Sequence, residues 1–289
     1  MSTENNTEKN VNSTGKKKIY QILAVVFLFG FFICMGIVLR DFVVERKAEN
    51  QYEQLANNII TTDPSEDVTE EVVVETETEE EAKDLIAERG IEIPKLELDW
   101  TALADTNEHI YSWIYIPDTK VNYPVVQHPE EMDYYLDHNL DHSTGLPGCI
   151  YTQNINATDY SDNNTVLYGH NMKNGTMFKG LHQYTDRAFF KEHPYIYVYT
   201  PEKVLVYEVY GACEVSDTHL LFKYDFWSGE GLSIFLEDIE ASRSMSNQVA
   251  EDFEMPDETK LITLSTCIAN KPNNRWIVVG VLLGEQAVE

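Results

Sequence analysis

An uninterrupted apolar run near the N-terminus constrains this chain more than any other feature. The run covers residues 19–39 (IYQILAVVFLFGFFICMGIVL) and contains no charged side chain. Its 21 residues match the roughly 20 that an α-helix needs to span a bilayer. A cleavable signal peptide is the alternative, but its apolar core is usually about 7–15 residues long and ends in small residues. Here the run closes on Val38-Leu39-Arg40, which favours an uncleaved transmembrane anchor.

Lysines before the apolar run indicate how the anchor is oriented. Residues 1–18 are polar and hold four Lys against two Glu, and Lys16, Lys17 and Lys18 directly precede the run. Cytoplasmic flanks of membrane spans carry an excess of positive charge. We therefore expect residues 1–18 to be a cytoplasmic tail and residues 19–39 a single-pass anchor in the cell membrane. Everything after residue 40 would then be extracytoplasmic.

The segment that follows the anchor is strongly acidic. Between Thr61 and Glu81 there are ten acidic residues and no basic ones. Such a segment repels itself and has little apolar surface to bury. We interpret residues 40–89 as an extracytoplasmic stalk, in which residues 41–57 and 81–89 are candidates for helix. A binding site for a cation or a partner is the alternative interpretation of the acidic run.

The acidity of the whole chain excludes one class of partner. The formal net charge is −28, and residues 90–289 alone carry 31 acidic and 12 basic side chains. Nothing in such a chain neutralises a phosphate backbone, so we expect no nucleic-acid partner.

Residues 90–289 have the pattern of one mainly β domain. Short β-branched and aromatic runs alternate with turn residues, as is typical of strands. The runs lie near residues 110–116, 121–126, 149–152, 164–169, 195–200, 204–215, 260–267 and 275–283. Helices are predicted at residues 129–137, 176–192 and 229–245. About eight short strands with few helices favour a closed or partly closed β-barrel.

The four cysteines are too few for a disulfide scaffold, and none forms the CxxC pair of a zinc ribbon. Cys34 lies in the apolar run. Cys149 and Cys213 lie inside predicted strands, where buried structural roles are expected and a disulfide between them is left open. Cys267 differs because it ends an apolar strand and follows two polar residues, where a rigid scaffold can present a side chain to a cleft.

A catalytic cysteine needs a nearby base or cation, because a thiol at its ordinary pKa is a poor nucleophile near neutral pH. Among the eight histidines, His170 directly follows an apolar strand, with Gly169 allowing a tight turn. Arg275 is predicted to start the last strand, after a loop over residues 268–274. That spacing suits two adjacent strands with Cys267 and Arg275 at the same end. Surface positions are the alternative for both His170 and Arg275.

Three segments together resemble the sortases, and most closely class B. They are Thr263-Leu264-Ser265-Thr266-Cys267, Tyr168-Gly169-His170-Asn171-Met172 and Arg275-Trp276-Ile277-Val278-Val279. Further similarity lies in residues 113–116, 121–127, 134–136 and 177–178, so that the resemblance covers the chain from about residue 90 to residue 283.

The resemblance implies an eight-stranded sortase-type β-barrel with a few peripheral helices, preceded by one transmembrane helix. It implies a cysteine transpeptidase on the outer face of a Gram-positive-type envelope, with no metal or other cofactor. Such an enzyme cleaves LPxTG- or NPxTx-like sorting signals of surface proteins after Thr. It then transfers the acyl group to an amine of peptidoglycan or of a lipid-linked precursor.

The resemblance also implies roles for individual residues. Cys267 would be the nucleophile, and His170 would move a proton to the leaving amine and from the incoming one. Arg275 would stabilise the developing oxyanion or hold the substrate backbone. Ser265 would contact the substrate, because it shares a strand face with Cys267.

Three alternatives remain open from the sequence. A pilin-polymerising sortase would use the same residues with a lysine side chain as acceptor. A hydrolytic cysteine peptidase would use no acceptor amine. A non-enzymatic anchored surface scaffold would have no use for Cys267, and selective reaction of this cysteine with a sorting-peptide mimic separates it from the enzymes.

Overall fold

The structure is a computed structural model that describes residues 4–57, 61–62, 85–242, 244–251, 253–256 and 258–288. It divides into two compact units, one ending at Lys47 and the other beginning at Ala48. We interpret residues 40–89 as a stalk, and residues 63–84 of it, which include most of the acidic run, lie outside the described residues.

The first unit is helical. Helix α1 begins at Glu4 and ends at Asn57, and its part up to Lys47 forms this unit. The portion from Tyr20 onward is long and apolar enough to cross a membrane. Phe27, Phe29 and the other large apolar side chains of residues 20–39 are exposed. A helix suits such a segment because it pairs its backbone polar groups internally, as a bilayer requires.

The second unit is a closed β-barrel of eight strands. The strands of the chain are β1 (Thr61–Thr62), β2 (Lys95–Leu96), β3 (Ile110–Tyr115), β4 (Asn122–Val126), β5 (Ile150–Thr152), β6 (Asn164–Tyr168), β7 (Tyr195–Tyr199), β8 (Lys203–Ser216), β9 (Gln248–Val249), β10 (Leu261–Ile268) and β11 (Lys271–Ala287). The order around the barrel is β11-β10-β6-β5-β4-β3-β7-β8, and β8 closes it by pairing with β11. Strand β9 extends the sheet from β8, and β1 pairs with β2 separately.

Short helices lie between the strands. They are α2 (Leu85–Glu88), α3 (Trp100–Thr106), α4 (Arg187–Glu192), α5 (Leu220–Lys223) and α6 (Gly229–Ala241), with 3-10 helices at Tyr134–Leu136 and Phe178–Thr185. The eight-stranded barrel is therefore confirmed, with each predicted strand close to its expected place. The predicted helix at residues 176–192 is split, because the Asp186 side chain accepts from the backbone of Ala188 and Phe189 and starts a new helix there. In place of the helix predicted at residues 129–137, the structure has only a short 3-10 helix, Tyr134–Leu136.

The connection between β10 and β11 differs from the loop that the sequence predicts. Strand β10 continues to Ile268 and β11 begins at Lys271, so that only two residues make the turn. One of them, Asn270, has a φ of 62°, which asparagine tolerates well. The expectation that Arg275 starts the last strand is therefore wrong. Pro272 and its neighbours have the composition of a turn, but a proline is accepted near the start of a strand.

The two strands that carry the site are buried on both faces. Ile262 and Leu264 of β10 point into the barrel, together with Val278 of β11. The alternating residues, such as Leu261 and Ile277, pack outside the barrel in a second apolar cluster with α5 and α6. Burial on both sides explains why the sequence of these strands is almost continuously apolar.

The last turns of α1 belong to the barrel unit and are anchored by a tyrosine. Tyr52 is buried, and its hydroxyl donates a hydrogen bond to the Gly148 carbonyl oxygen at 2.7 Å. The same hydroxyl lies 3.2 Å from Cys149 Sγ, and the ring meets Tyr123 edge-on. The Gly148 carbonyl would lose this buried donor without the hydroxyl.

We expect Tyr52→Phe to lower the free energy of unfolding by about 1–3 kcal/mol, the cost of an unpaired buried polar group. Denaturant unfolding of the full-length chain in detergent micelles measures this. Tyr115→Phe is the matched control, because the Tyr115 hydroxyl has no hydrogen bond to the described residues. Equal stability of the two variants would contradict the anchoring role.

Candidate active site

The chain that leaves β6 is fastened to β10 next to Cys267. The two strands run parallel, and their last paired residues are Tyr168 and Ser265. The Gly169 backbone N–H then donates to the Ser265 carbonyl oxygen at 3.2 Å. The Thr266 hydroxyl donates to the Gly169 carbonyl oxygen at 2.7 Å. These bonds fix the start of the segment that carries His170.

Cys267 and Arg275 lie opposite each other on neighbouring strands. They are register partners in the antiparallel pair of β10 and β11, and Cys267 is exposed. Arg275 Nη1 donates to the carbonyl oxygens of Pro272 at 2.9 Å and Asn274 at 3.1 Å. Both acceptors are neutral, so these bonds orient the guanidinium group without neutralising its charge.

His170 is oriented by a backbone carbonyl. Its Nε2 lies 2.7 Å from the carbonyl oxygen of Leu136, at the end of the first 3-10 helix. A carbonyl oxygen only accepts, so the proton is on Nε2 and the neutral ring has its lone pair on Nδ1. The sequence does not identify the residue that orients His170. No residue type signals a carbonyl partner, so sequence reasoning could not find this one.

Position 169 requires a glycine because there is no room for a Cβ atom. The backbone conformation is not the reason, since the φ of Gly169 is not in the left-handed region. A Cβ at this position would lie 2.5 Å from Cδ1 of Ile150 and 2.8 Å from the ring of Phe178. The tight turn that the sequence suggested is therefore a close packing contact. It holds the residue before His170 against the barrel.

One cleft of about 340 Å³ brings the predicted site residues together. Cys267, His170, Arg275 and Ser265 all line it, from the two strands β10 and β11 and from the segment after β6. The other side chains around it include Asp133, Leu136, Tyr151, Gln153, Tyr168, Val215, His219 and Leu220.

Several polar atoms in this cleft lack a partner. Gln153 Oε1, the Tyr168 hydroxyl and both ring nitrogens of His219 are buried and make no hydrogen bond to the described residues. Asp133 orients Gln153 by accepting from its Nε2 at 2.8 Å, and it also accepts from the Tyr151 hydroxyl at 3.2 Å. Unpaired buried polar atoms are costly, so their collection in one cleft points to a polar ligand. Sequence reasoning missed these residues because they lie in separate segments without a shared motif.

Burial keeps this polar group uncharged. It lowers the pKa of His219, and the nearby Asp133 carboxylate opposes the shift only in part. Burial also raises the pKa of the Tyr168 hydroxyl well above its ordinary value. At neutral pH the cleft therefore presents a neutral imidazole and a protonated phenol beside Cys267.

The other cysteines of the barrel are inert by comparison. Cys149 and Cys213 are buried and free, so the disulfide that the sequence left open is not formed. Burial raises the pKa of each thiol to about 12. Among the described residues no group of three or more His, Cys, Asp or Glu side chains could hold a metal ion.

Comparison with known families gives the geometry a context. The family model described as the sortase domain matches residues 114–283, which span the barrel from β3 to β11. The chain belongs to the sortase family.

The individual relatives that match this sortase are sortases of class B. Sortase B of Listeria monocytogenes is 28% identical over 183 residues, covering 63% of this chain and 72% of that protein. The structure of Clostridium perfringens sortase B matches with a TM-score of 0.57 and 25% identity, covering 64% of this chain and 99% of that one. The structure of sortase B from Bacillus anthracis in complex with AAEK1 matches with a TM-score of 0.60 and 25% identity, covering 84% of this chain and 98% of that one. The resemblance drawn from the three motifs is confirmed, and class B sortases are cysteine transpeptidases.

We expect Gly169→Ala to destabilise this sortase by about 1–3 kcal/mol, because the added methyl overpacks the contact with Ile150 and Phe178. Gly229→Ala is the matched control, since a Cβ there meets nothing within 4 Å. Denaturant unfolding of both variants measures the difference. A Gly169→Ala variant as stable as the control would contradict the packing argument.

Proposed function

We propose that this sortase cleaves an NPxTx-like sorting signal after Thr and transfers the acyl group to an amine of peptidoglycan or of a lipid-linked precursor. The observation that carries the proposal is the meeting of Cys267, Arg275 and His170 in one cleft. Each residue comes from a different segment, and each has a chemical property that acyl transfer requires.

Cys267 is the proposed nucleophile. Its exposed thiolate attacks the carbonyl carbon of the Thr residue, at the scissile peptide bond, and a tetrahedral intermediate forms. Collapse breaks the C–N bond, releases the amine and leaves a thioester. An incoming amine then attacks this thioester, and the thiolate departs.

His170 is the proposed proton carrier. Because its Nε2–H is held by the Leu136 carbonyl, Nδ1 is the nitrogen that exchanges protons with the substrate. In the protonated ring Nδ1–H gives a proton to the departing amine. In the neutral ring the same nitrogen takes one from the incoming amine.

Arg275 is the proposed stabiliser of the oxyanion. Its guanidinium group keeps its charge at all relevant pH values, and two carbonyl contacts orient it across from Cys267. A single oxyanion donor is worth about 3–4 kcal/mol of transition-state stabilisation, which sets the expected scale.

The unpartnered polar atoms support an asparagine in the sorting signal. A carboxamide offers one acceptor and two donors. Gln153 Oε1 accepts, whereas the Tyr168 hydroxyl and the neutral His219 ring each both donate and accept. Ser265 lines the same cleft and is a proposed additional contact.

We also propose how the sortase is arranged at the membrane. Residues 1–18 are a cytoplasmic tail, residues 19–39 the anchor and residues 40–89 a stalk, so that the catalytic domain of residues 90–289 is extracytoplasmic. The lysines before the anchor support this orientation. The compact unit begins earlier, at Ala48, because the end of α1 packs on the barrel.

We expect Cys267→Ala to abolish both cleavage and transfer of an NPxTx-like peptide by the full-length chain in detergent micelles. Intact-mass analysis of wild type should show a thioester adduct at Cys267, and the variant should show none. Cys213→Ala is the control and should keep the adduct. Turnover by Cys267→Ala would overturn the proposal, and cleavage without transfer to any added amine would indicate a hydrolytic peptidase.

We expect replacement of the peptide asparagine by leucine to lower kcat/KM by about 100-fold or more, because the cleft's polar atoms are then left unpaired. Replacement by aspartate should also be poor, since a carboxylate would face Asp133. Steady-state cleavage of a peptide panel measures both effects. Varying the position before Thr is the control, and equal kcat/KM for the asparagine and leucine peptides would contradict the asparagine subsite.

A further inference from the structure

The backbone carbonyl of Cys267 lies at an edge where its neighbouring strand has ended. The Ser265 carbonyl faces β6 and accepts from Gly169. Carbonyl groups two residues apart on a strand face the same edge, so the Cys267 carbonyl also faces the β6 side. The pairing of β6 with β10 stops at Ser265, and the Cys267 oxygen lies beyond it.

Two side chains replace the missing strand. Asn171 Nδ2 donates to the Cys267 carbonyl oxygen at 2.8 Å, and His182 Nε2 contacts the same oxygen at 3.1 Å. Because the oxygen only accepts, His182 carries its proton on Nε2. The two donors come from different segments, the loop after β6 and the second 3-10 helix.

Asn171 connects this carbonyl to the segment of His170. It directly follows His170, and its backbone is fixed by a β-bridge to Met177. The backbone N–H of Phe178 also donates to the His170 carbonyl oxygen at 2.9 Å. The bond from Asn171 therefore fixes the loop of His170 relative to the strand of Cys267.

His182 connects the same carbonyl to the segment of Arg275. Its ring stacks on Trp276, with centroids 6.1 Å apart and planes at 25°. The Trp276 indole N–H donates to the carbonyl oxygen of Leu181 at 2.9 Å, next to His182 in the 3-10 helix. Trp276 directly follows Arg275 on β11.

We propose that Asn171 and His182 are positioning residues that clamp the Cys267 carbonyl and thereby set the mutual geometry of Cys267, His170 and Arg275. The clamp contacts Cys267 directly. It is linked to His170 because Asn171 is the next residue in the chain, and to Arg275 because His182 stacks on Trp276, the residue after Arg275. This inference rests on the roles proposed above for those three residues.

The bond from His182 to the Cys267 carbonyl does not depend on whether the His182 ring is protonated. Burial lowers the pKa of His182, and its bond to the Cys267 carbonyl opposes the shift in part. Both the neutral Nε2–H tautomer and the protonated ring donate from Nε2, so the bond survives either state. Lys179 is the charged neighbour that also lowers the pKa of His182.

The test compares variants of the full-length chain in detergent micelles, with an NPxTx-like peptide as substrate. Asn171→Asp places an acceptor against the carbonyl, and His182→Leu removes the second donor. We expect each to lower kcat by about 10- to 100-fold with KM within about threefold, since misplacement by about 1 Å costs roughly this much. His182→Gln keeps an N–H donor and should recover most of the rate.

Controls separate positioning from folding. Asn154 also donates to a backbone carbonyl, that of Pro129, but at an exposed site, so Asn154→Asp should keep the wild-type kcat. All variants should keep the denaturation midpoint of wild type within a few degrees. The proposal is overturned by wild-type kcat in both clamp variants, or by a loss that appears in KM or in stability. It is also overturned if His182→Gln is as slow as His182→Leu.

A second measurement does not depend on turnover. Iodoacetamide alkylation of Cys267, followed by peptide mass mapping across a pH series, reports the surroundings of the thiol even if no peptide is cleaved. Asn171→Ala should shift the midpoint of this profile from wild type, and Asn154→Ala should not. A shifted profile with an inactive wild type would reject the proposed function and retain the clamp. An unshifted profile would reject the clamp.

Discussion

The site depends on one strand that is paired along both edges. Strand β10 lies between a parallel neighbour, β6, and an antiparallel neighbour, β11. A slip of one residue in either pairing would turn every side chain of β10 to the opposite face, and burial on both faces forbids it. The double pairing therefore fixes Cys267 opposite Arg275 and brings the end of β6, with His170 beyond it, to the same end of the barrel. The geometry of the proposed active site follows from the register of apolar residues.

Much of this could be predicted from the sequence, because it resides in local patterns. The 21-residue apolar run predicts a helix, and runs of β-branched residues between turn residues predict the strands of the barrel. Cys267 and His170 stand out because each follows directly on such a run. The sequence predicts correctly that Arg275 lies at the same end of the barrel as Cys267. It does not predict that the strand of Arg275 begins at Lys271, because Pro272 and its neighbours have the composition of a turn.

The remainder could not be predicted because it depends on tertiary contacts that carry no local signal. The partner of His170 is the carbonyl of Leu136, and every residue type has a carbonyl. Gln153, Tyr168 and His219 gather around the cleft from segments that the sequence separates, and each is unremarkable alone. His182 lies in a 3-10 helix far along the chain from Cys267, and only the closed barrel brings its ring to the end of β10.

The burial of two thiols and the exposure of a third have a consequence for chemical damage. Oxidants and electrophiles attack thiolates, and the protonated thiols of Cys149 and Cys213 are both shielded and unreactive at neutral pH. A peroxide would therefore oxidise the exposed Cys267 to a sulfenic acid before it reached the buried thiols of the barrel core. The barrel would stay folded while the proposed nucleophile was lost, and a thiol that reaches the cleft could reduce the sulfenic acid back to the thiol.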